Sequence, residues 1–279
     1  KLTLVNGQGD NEDYGNFQFK IRPYENGIRI EEFSALIKGI NVVAEGPIIW
    51  DRLSDITFFK GNVSGQNLAK VLPLWGYEVN IDSASFSSNG DVKWTGSPLD
   101  FEFKNLHGEV ITTINNGRFL DVDQGGGAVK LIGLFNYSAI FERMQLNFSD
   151  LLGKGMSFNR VYARTMLNGG QLEFLDPMIV EGNSSLIRLT GDVDLNTGIL
   201  NNEMIVTLPL DKSLPWYAAY VALANPAAGV GVLLARRIFD EQIESISSGR
   251  YTVRGTLSDP LVEFETVFTA EPDASNMAN

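Results

Sequence analysis

Apolar and polar side chains alternate with a period of two along much of this 279-residue chain. In the clearest run, Ile187, Leu189 and Val193 alternate with polar residues, and Met204 and Val206 continue the pattern after a turn. This period is typical of β-strands with one wet face and one apolar face, whereas strands buried on both faces are apolar throughout. The pattern therefore predicts a mainly β protein built from antiparallel hairpins.

Three further segments, residues 17–22, 99–104 and 250–255, show the same alternation and are also predicted to be strands. In the second of them, Phe101 and Phe103 alternate with charged residues. The chain has 28 glycines, which suits the many turns of such a fold. We expect a curved, twisted antiparallel sheet that forms an elongated apolar groove.

Helical patterns are confined to a few places. A short helix capped by a serine is predicted over residues 64–74, and amphipathic helical segments are predicted near residues 128–152 and 214–246. No linker rich in proline or serine divides the chain, so residues 1–268 are predicted to form a single elongated β region. Residues 269–279 are small and polar and are predicted to be a flexible tail.

Residues 213–235 carry no charge and are long enough to cross a membrane, although Asn225 and Pro226 interrupt them. Aromatic side chains cluster near the start of this segment, as they do at membrane–water interfaces. Two interpretations stay open: contact with a membrane, or a helical lid that packs on the sheet. The residues predicted to make the membrane or lid contact are Trp216, Tyr217, Tyr220, Leu233 and Leu234.

Composition excludes several kinds of chemistry. The net charge of −12 argues against nucleic-acid binding and against a polybasic grip on anionic lipids. There is no cysteine, and the one histidine, His107, has no recognisable catalytic partners. Residues 192–203 resemble a calcium-binding loop but lack the glycine that its turn needs, so a hairpin turn is predicted instead. No catalytic residue, metal or cofactor is therefore expected.

An antiparallel sheet has to cover its apolar face. Two such faces can pack together as a closed sandwich, or an open sheet can leave a trough that a ligand fills. Acyl chains suit a trough, because each buried CH2 contributes about 0.8 kcal/mol and needs no directional bond. The candidates to line such a groove are Phe101, Phe103, Ile187, Leu189, Val193 and Val206.

Several motifs resemble a known family. They are residues 125–137 (GGGAVKLIGLFNY), 191–198 (GDVDLNTG), 208–216 (LPLDKSLPW), 225–234 (NPAAGVGVLL) and 248–260 (SGRYTVRGTLSDP). Together they resemble the C-terminal end of the YhdP branch of the AsmA-like proteins, which are similar to bridge-type lipid transfer proteins. The resemblance covers most of the chain, and its motifs are structural and not catalytic.

The resemblance implies a function that composition does not indicate. Such proteins are anchored in the inner membrane of Gram-negative bacteria by an N-terminal helix, extend through the periplasm and are implicated in phospholipid transport between the two membranes. This chain would be the distal end, with phospholipids and the outer membrane, or an outer-membrane or periplasmic protein, as partners. Two rivals stay open: an envelope scaffold that acts through protein contacts of its C-terminal helices, and a glycan-binding or hydrolytic β-domain.

Overall fold

A single large antiparallel sheet dominates the fold. The computed structural model describes residues 2–4, 8–9, 12–13, 15–77, 79–120, 157–182, 185–207 and 248–268. Within these ranges fifteen strands belong to one sheet, and each strand pairs with its neighbours in antiparallel orientation. Because strands that are close in sequence are also neighbours in the sheet, the chain runs across it as a meander.

The first part of the sheet extends from the N-terminus to the strand before residue 96. Its strands are β1 (Leu2–Leu4), β4 (Asn16–Tyr24), β5 (Gly27–Ile37), β6 (Ile40–Ala44), β7 (Ile48–Asp51), β8 (Ile56–Gly65) and β9 (Ile81–Thr95). Two short strands form a separate pair, β2 (Gln8–Gly9) and β3 (Glu12–Asp13).

The second part of the sheet continues from β9 without a break in the pairing. Its strands are β10 (His107–Phe119), β11 (Ser157–Asn168), β12 (Gln171–Phe174), β13 (Met178–Gly182), β14 (Leu186–Asp194), β15 (Leu200–Thr207), β16 (Ser248–Thr256) and β17 (Asp259–Phe268).

Two positions in the sheet are each occupied by two consecutive strands. Strands β6 and β7 both lie between β5 and β8, and strands β12 and β13 both lie between β11 and β14. The interruptions contain Pro47 and Pro177. Proline has no N–H to donate to a ladder, so each interruption falls where the hydrogen bonding has to break.

Because the strands alternate in direction, the connections lie along two opposite rims. One rim, here called the turn rim, carries short connections such as those between β4 and β5 and between β14 and β15. The opposite rim, here called the helix rim, carries the β5–β6 turn and helix α1 (Leu68–Leu74). The paired ends of β10 with β11 and of β15 with β16 also lie at the helix rim.

The structure confirms most of the strands that were predicted from the alternation. Residues 17–22 lie in β4, the run from residue 187 forms β14 and β15, and residues 250–255 lie in β16. The turn between β14 and β15 is the predicted hairpin. There the carboxylate of Asp194 accepts bonds from the backbone N–H groups of Thr197 and Asn196, at 3.0 and 2.8 Å, which lowers the pKa of Asp194.

The predicted strand over residues 99–104 is wrong. Residues 96–102 form an irregular connection with a turn at residues 98–99, followed by a short 3-10 helix (Phe103–Asn105). The carboxylate of Asp100 accepts bonds from the hydroxyl and the backbone N–H of Ser97, at 2.7 and 2.8 Å, which also lowers the pKa of Asp100. Local capping of this kind competes with strand formation and overrides the alternation.

The helix predicted over residues 64–74 is confirmed with a later start. Strand β8 continues to Gly65, and α1 begins after Asn67, whose side chain accepts from the backbone N–H of Lys70 at 3.1 Å. The predicted helical segments 128–152 and 214–246 and the predicted tail 269–279 lie outside the described residues.

Glycines at close approaches of neighbouring strands are the positions where the fold should tolerate least change. Gly191 has φ +106°, and a Cβ there would lie 2.2 Å from the carbonyl oxygen of Asn201. We expect Gly191→Ala to destabilise the protein by about 2 kcal/mol or more, because of left-handed strain and the clash. Gly90→Ala is the matched control, since its Cβ would meet only side chains at 3.7 Å or beyond.

Chemical denaturation of both glycine variants measures this difference. The Gly90→Ala midpoint should stay near that of the wild type, because added β-propensity and ordinary contacts offset each other there. Equal destabilisation by the two substitutions would contradict the assigned backbone conformation at Gly191.

Candidate functional site: the apolar face of the sheet

The cross-strand register places apolar side chains of nearly every strand on the same face. Residues directly opposite each other in an antiparallel pair project from the same side of the sheet. One continuous row runs over nine strand positions from β5 to β15 and consists of Ile37, Ile40, Gly65, Phe86, Ile114, Val161, Val180, Ile187 and Val206. We call this side the apolar face.

A second row shows that the apolar face extends from β4 to the last strand, β17. It contains Phe17, Ala35, Val42, Val63, Ser88, Thr112, Ala163, Met178, Leu189, Met204, Tyr251 and Phe264. Twelve strand positions at a spacing of about 4.8 Å give a path of roughly 50 Å across the strands. That length exceeds the roughly 30 Å hydrocarbon core of a bilayer.

Protein atoms cover the apolar face unevenly. From β10 to β17 most of its side chains are buried, including Val180, Met204 and Tyr251 at 0–1% exposure. From β4 to β8 most are only half-buried, and Ile21 is 54% exposed. Contiguous apolar surface left open to solvent is typical of an interaction site. The open part of the face is therefore the strongest candidate for ligand contact, and its larger side chains are Phe17, Phe19, Ile28, Ile30, Phe33, Val42, Phe59 and Val63.

Hydroxyl groups on the apolar face find partners within the sheet. The hydroxyls of Ser88 and Thr112 lie 2.9 Å apart, and the hydroxyl of Thr165 donates to the carbonyl oxygen of Val110 at 3.2 Å. Thr57 donates to the carbonyl oxygen of Gly96 at 2.7 Å. Because these groups are satisfied internally, they add little polarity to the face.

The opposite face is polar and is held together by cross-strand ion pairs. Arg164 of β11 forms a two-point contact with Glu109 of β10, at 2.6 and 3.1 Å, and also contacts Asp176. Arg160 pairs with Glu181 at 2.6 Å. Further pairs join Lys20 with Glu32, Arg22 with Glu31, and Lys60 with Asp91. These contacts keep the charged side chains on the side away from the apolar face.

Four of the six groove candidates lie together on the apolar face. Ile187 pairs with Val206, while Leu189 and Val193 lie two and six residues further along β14 on the same side. All four are buried, with exposures of 0–5%. Alternation thus predicted that these four side chains share one face, and their burial sets them apart from the open part of that face.

The other two groove candidates lie off the sheet. Phe101 and Phe103 sit in the β9–β10 connection at the turn rim, with exposures of 54% and 40%. The ring of Phe101 packs edge-on against the ring of Trp94, with centroids 5.5 Å apart. Their role in lipid contact stays a prediction, as does that of Trp216, Tyr217, Tyr220, Leu233 and Leu234, which lie outside the described residues.

The one histidine of the chain, His107, lies at the start of β10. The Nδ1 atom of His107 lies 2.9 Å from the side-chain oxygen of Asn168, its register partner in β11. Among the described residues, no group of three or more His, Cys, Asp or Glu side chains is placed to hold a metal ion. No helix in this part of the chain combines the length and apolar character needed to cross a membrane.

An all-antiparallel sheet with one apolar and one ion-paired face defines a structural class, and comparison with known proteins defines the family. The model of the YhdP protein family matches residues 2–262, so the chain belongs to the YhdP family. It is 25% identical over 221 residues to the protein named "Intermembrane phospholipid transporter YhdP" of Escherichia coli K12. The match covers 79% of this chain and 17% of that protein, so the chain spans about a sixth of its relative's length. No solved structure gives a significant match.

The Glu109–Arg164 contact makes a testable contribution to stability. The hydrogen bond from Arg164 holds the pKa of Glu109 below its ordinary value of 4.5. A lowered folded-state pKa stabilises the protein above the ordinary value, and this stabilisation is lost as the pH falls through the lowered pKa. Glu109→Gln should therefore lower the denaturation midpoint at neutral pH, with the difference from wild type vanishing in strong acid.

The control for this measurement is Glu173→Gln, which neutralises an exposed glutamate of β12. Its midpoint at neutral pH should stay close to that of the wild type, because the side chain is exposed. A Glu109→Gln deficit that persisted unchanged into strong acid would show that the loss comes from packing and not from the ion pair.

Proposed function

We propose that this chain is a non-enzymatic segment of a periplasmic conduit that binds phospholipid acyl chains on its apolar face. In this role it supports phospholipid transport between the inner and outer membranes. The observation that carries the proposal is the apolar face itself, which is continuous across the sheet and only half-buried from β4 to β8. Membership of the YhdP family and the name of the Escherichia coli relative support the same function.

The chemistry of the face suits alkyl chains. Its hydroxyls are satisfied internally, so a ligand without hydrogen-bonding groups loses nothing by lying on it. Burial contributes about 0.8 kcal/mol for each CH2 group and requires no fixed orientation. A chain can therefore lie along the face at many positions of similar free energy, as a conduit requires.

The proposal also covers how the conduit is attached to the inner membrane and what its helical segment contacts. The conduit is tethered to the inner membrane by an N-terminal helix. The groove candidates on β14 and β15 form the buried continuation of the path. Residues 214–246 cap the groove or meet the outer membrane, or a protein located there, through their aromatic and leucine side chains.

The alternative is an envelope scaffold that acts through protein contacts and carries no lipid. The two functions differ in one simple observable, because a conduit retains phospholipid and a scaffold does not. Native mass spectrometry, with lipid extraction, of the chain purified without detergent should show phospholipid in a reproducible ratio. A stably folded chain free of lipid would overturn the conduit and favour the scaffold.

Substitutions at adjacent residues of β6 test which face binds lipid. Val42 lies on the apolar face opposite Val63, whereas Val43 lies on the polar face opposite Asn62 and is 40% exposed. Val42→Glu should sharply reduce the amount of co-purifying phospholipid, because a carboxylate next to acyl chains is poorly solvated. Val43→Glu is the matched control and should retain the wild-type amount.

Circular dichroism and denaturation of both variants establish that the sheet is intact. Half-buried positions are preferable to Leu189 or Val193, since a charge at those buried sites would be expected to unfold the protein. Equal lipid content in the folded Val42→Glu and Val43→Glu variants would contradict the assignment of the lipid path to the apolar face.

A further inference from the structure

A cavity of about 650 Å³ lies at the helix rim, between α1 and the ends of β5, β6, β8 and β9. It takes residues from both faces of the sheet. Phe86 belongs to the apolar face, while Ser64 and Ser87 are register partners on the polar face. The cavity therefore sits where a molecule with one polar end and one apolar end can reach both environments.

One part of the lining is apolar. The ring of Phe86 lies over Gly65, so close that a Cβ on that glycine would be 2.6 Å from the ring. Val71 and Leu74 of α1 contribute aliphatic surface from the other side. The helix is fixed to the rim, because the indole N–H of Trp75 donates to the carbonyl oxygen of Lys38 at 3.2 Å.

The other part of the lining offers hydrogen-bond donors. The hydroxyl oxygen of Ser85 accepts from the amide of Asn115 at 3.3 Å, and that of Ser87 accepts from the amide of Asn62 at 2.7 Å. Because these oxygens are already used as acceptors, their O–H groups are left to donate to another acceptor. Ser64 adds a third hydroxyl to the same lining.

The charge of the lining is unusual for this chain. Lys70 contributes an ammonium group, and none of the twelve lining residues is acidic, although the whole chain carries a net charge of −12. Within the described part of the chain, Lys70 forms no ion pair with a carboxylate. A lining that combines one cation with hydroxyl and amide groups is suited to a phosphoryl group.

We infer that this cavity binds the phosphodiester headgroup of a phospholipid. The phosphate contacts Lys70 and the serine hydroxyls, and the acyl chains pass over Gly65 and Phe86 to the apolar face. This inference rests on the proposed function, because it supplies the headgroup site for the same lipid. The apolar lining distinguishes a lipid phosphate from free phosphate, for which Phe86, Val71 and Leu74 would be of no use.

Binding of a short-chain lipid tests the site. The probe is dihexanoylphosphatidylglycerol below its micelle concentration, titrated calorimetrically into the wild-type chain and two variants. Lys70→Gln should weaken binding about tenfold, through loss of a charge-assisted hydrogen bond. Lys93→Gln makes the same charge change at an exposed position near the opposite end of β9 and should bind like the wild type. Equal affinity of wild type and Lys70→Gln would overturn the inference.

Inorganic phosphate, titrated at the same ionic strength, separates the two sources of the phosphoryl group. Phosphate should bind far more weakly than the lipid, and binding of equal strength would overturn the lipid assignment in favour of a free-phosphate site. The short-chain titration also stands apart from the conduit test. If the conduit proposal is wrong, no lipid co-purifies but Lys70→Gln still weakens binding of the short-chain lipid. If the headgroup site is wrong, long-chain lipid still co-purifies but Lys70→Gln has no effect on binding of the short-chain lipid.

Discussion

The cross-strand register is the constraint on which the rest of this structure depends. Side chains alternate between faces, so a slip of one residue in any pair would move an entire strand's apolar set to the polar side. Here three pairings contain a register shift, those of β4 with β5, β11 with β13 and β16 with β17, and a single apolar face still extends over twelve strand positions. The ion pairs on the other face reinforce this register, because contacts such as Glu109 with Arg164 form only when their strands are aligned as observed.

The register is maintained even where the alternation itself changes phase. Ile114 and Phe119 are both buried although five residues apart, a spacing that strict alternation would place on opposite faces. Between them Asn116 has a positive φ of 48°, a conformation that asparagine tolerates better than most residues. The neighbouring strand compensates, since Phe158 and Val161 are both buried three residues apart. The rings of Phe119 and Phe158 then meet with centroids 5.0 Å apart.

Alternation in the sequence predicted the mainly β antiparallel fold, most of the strands and the shared face of Ile187, Leu189, Val193 and Val206, because a period of two reports strand geometry directly. It failed at residues 99–104, where Asp100 capping Ser97 stabilises a turn that has the same apolar spacing. It also could not distinguish buried from open parts of the face, since burial depends on what covers a strand and not on its own pattern. The cavity at the helix rim could not be predicted from the sequence either. Its residues Ser64, Lys70 and Ser87 come together only through the pairing of β8 with β9 and the docking of α1.

The apolar face and the helix rim are chemically suited to different parts of a lipid. A face that offers only apolar contacts and internally satisfied hydroxyls holds alkyl chains without preferring one position, which favours movement along it. Such a face cannot recognise a headgroup, since recognition needs directional donors and charge. Donors on the sheet become accessible next to the apolar face only at a rim, and the helix rim is where α1 adds a cation to them. One sheet can therefore bind a headgroup selectively at its rim and let acyl chains pass over its apolar face without selection.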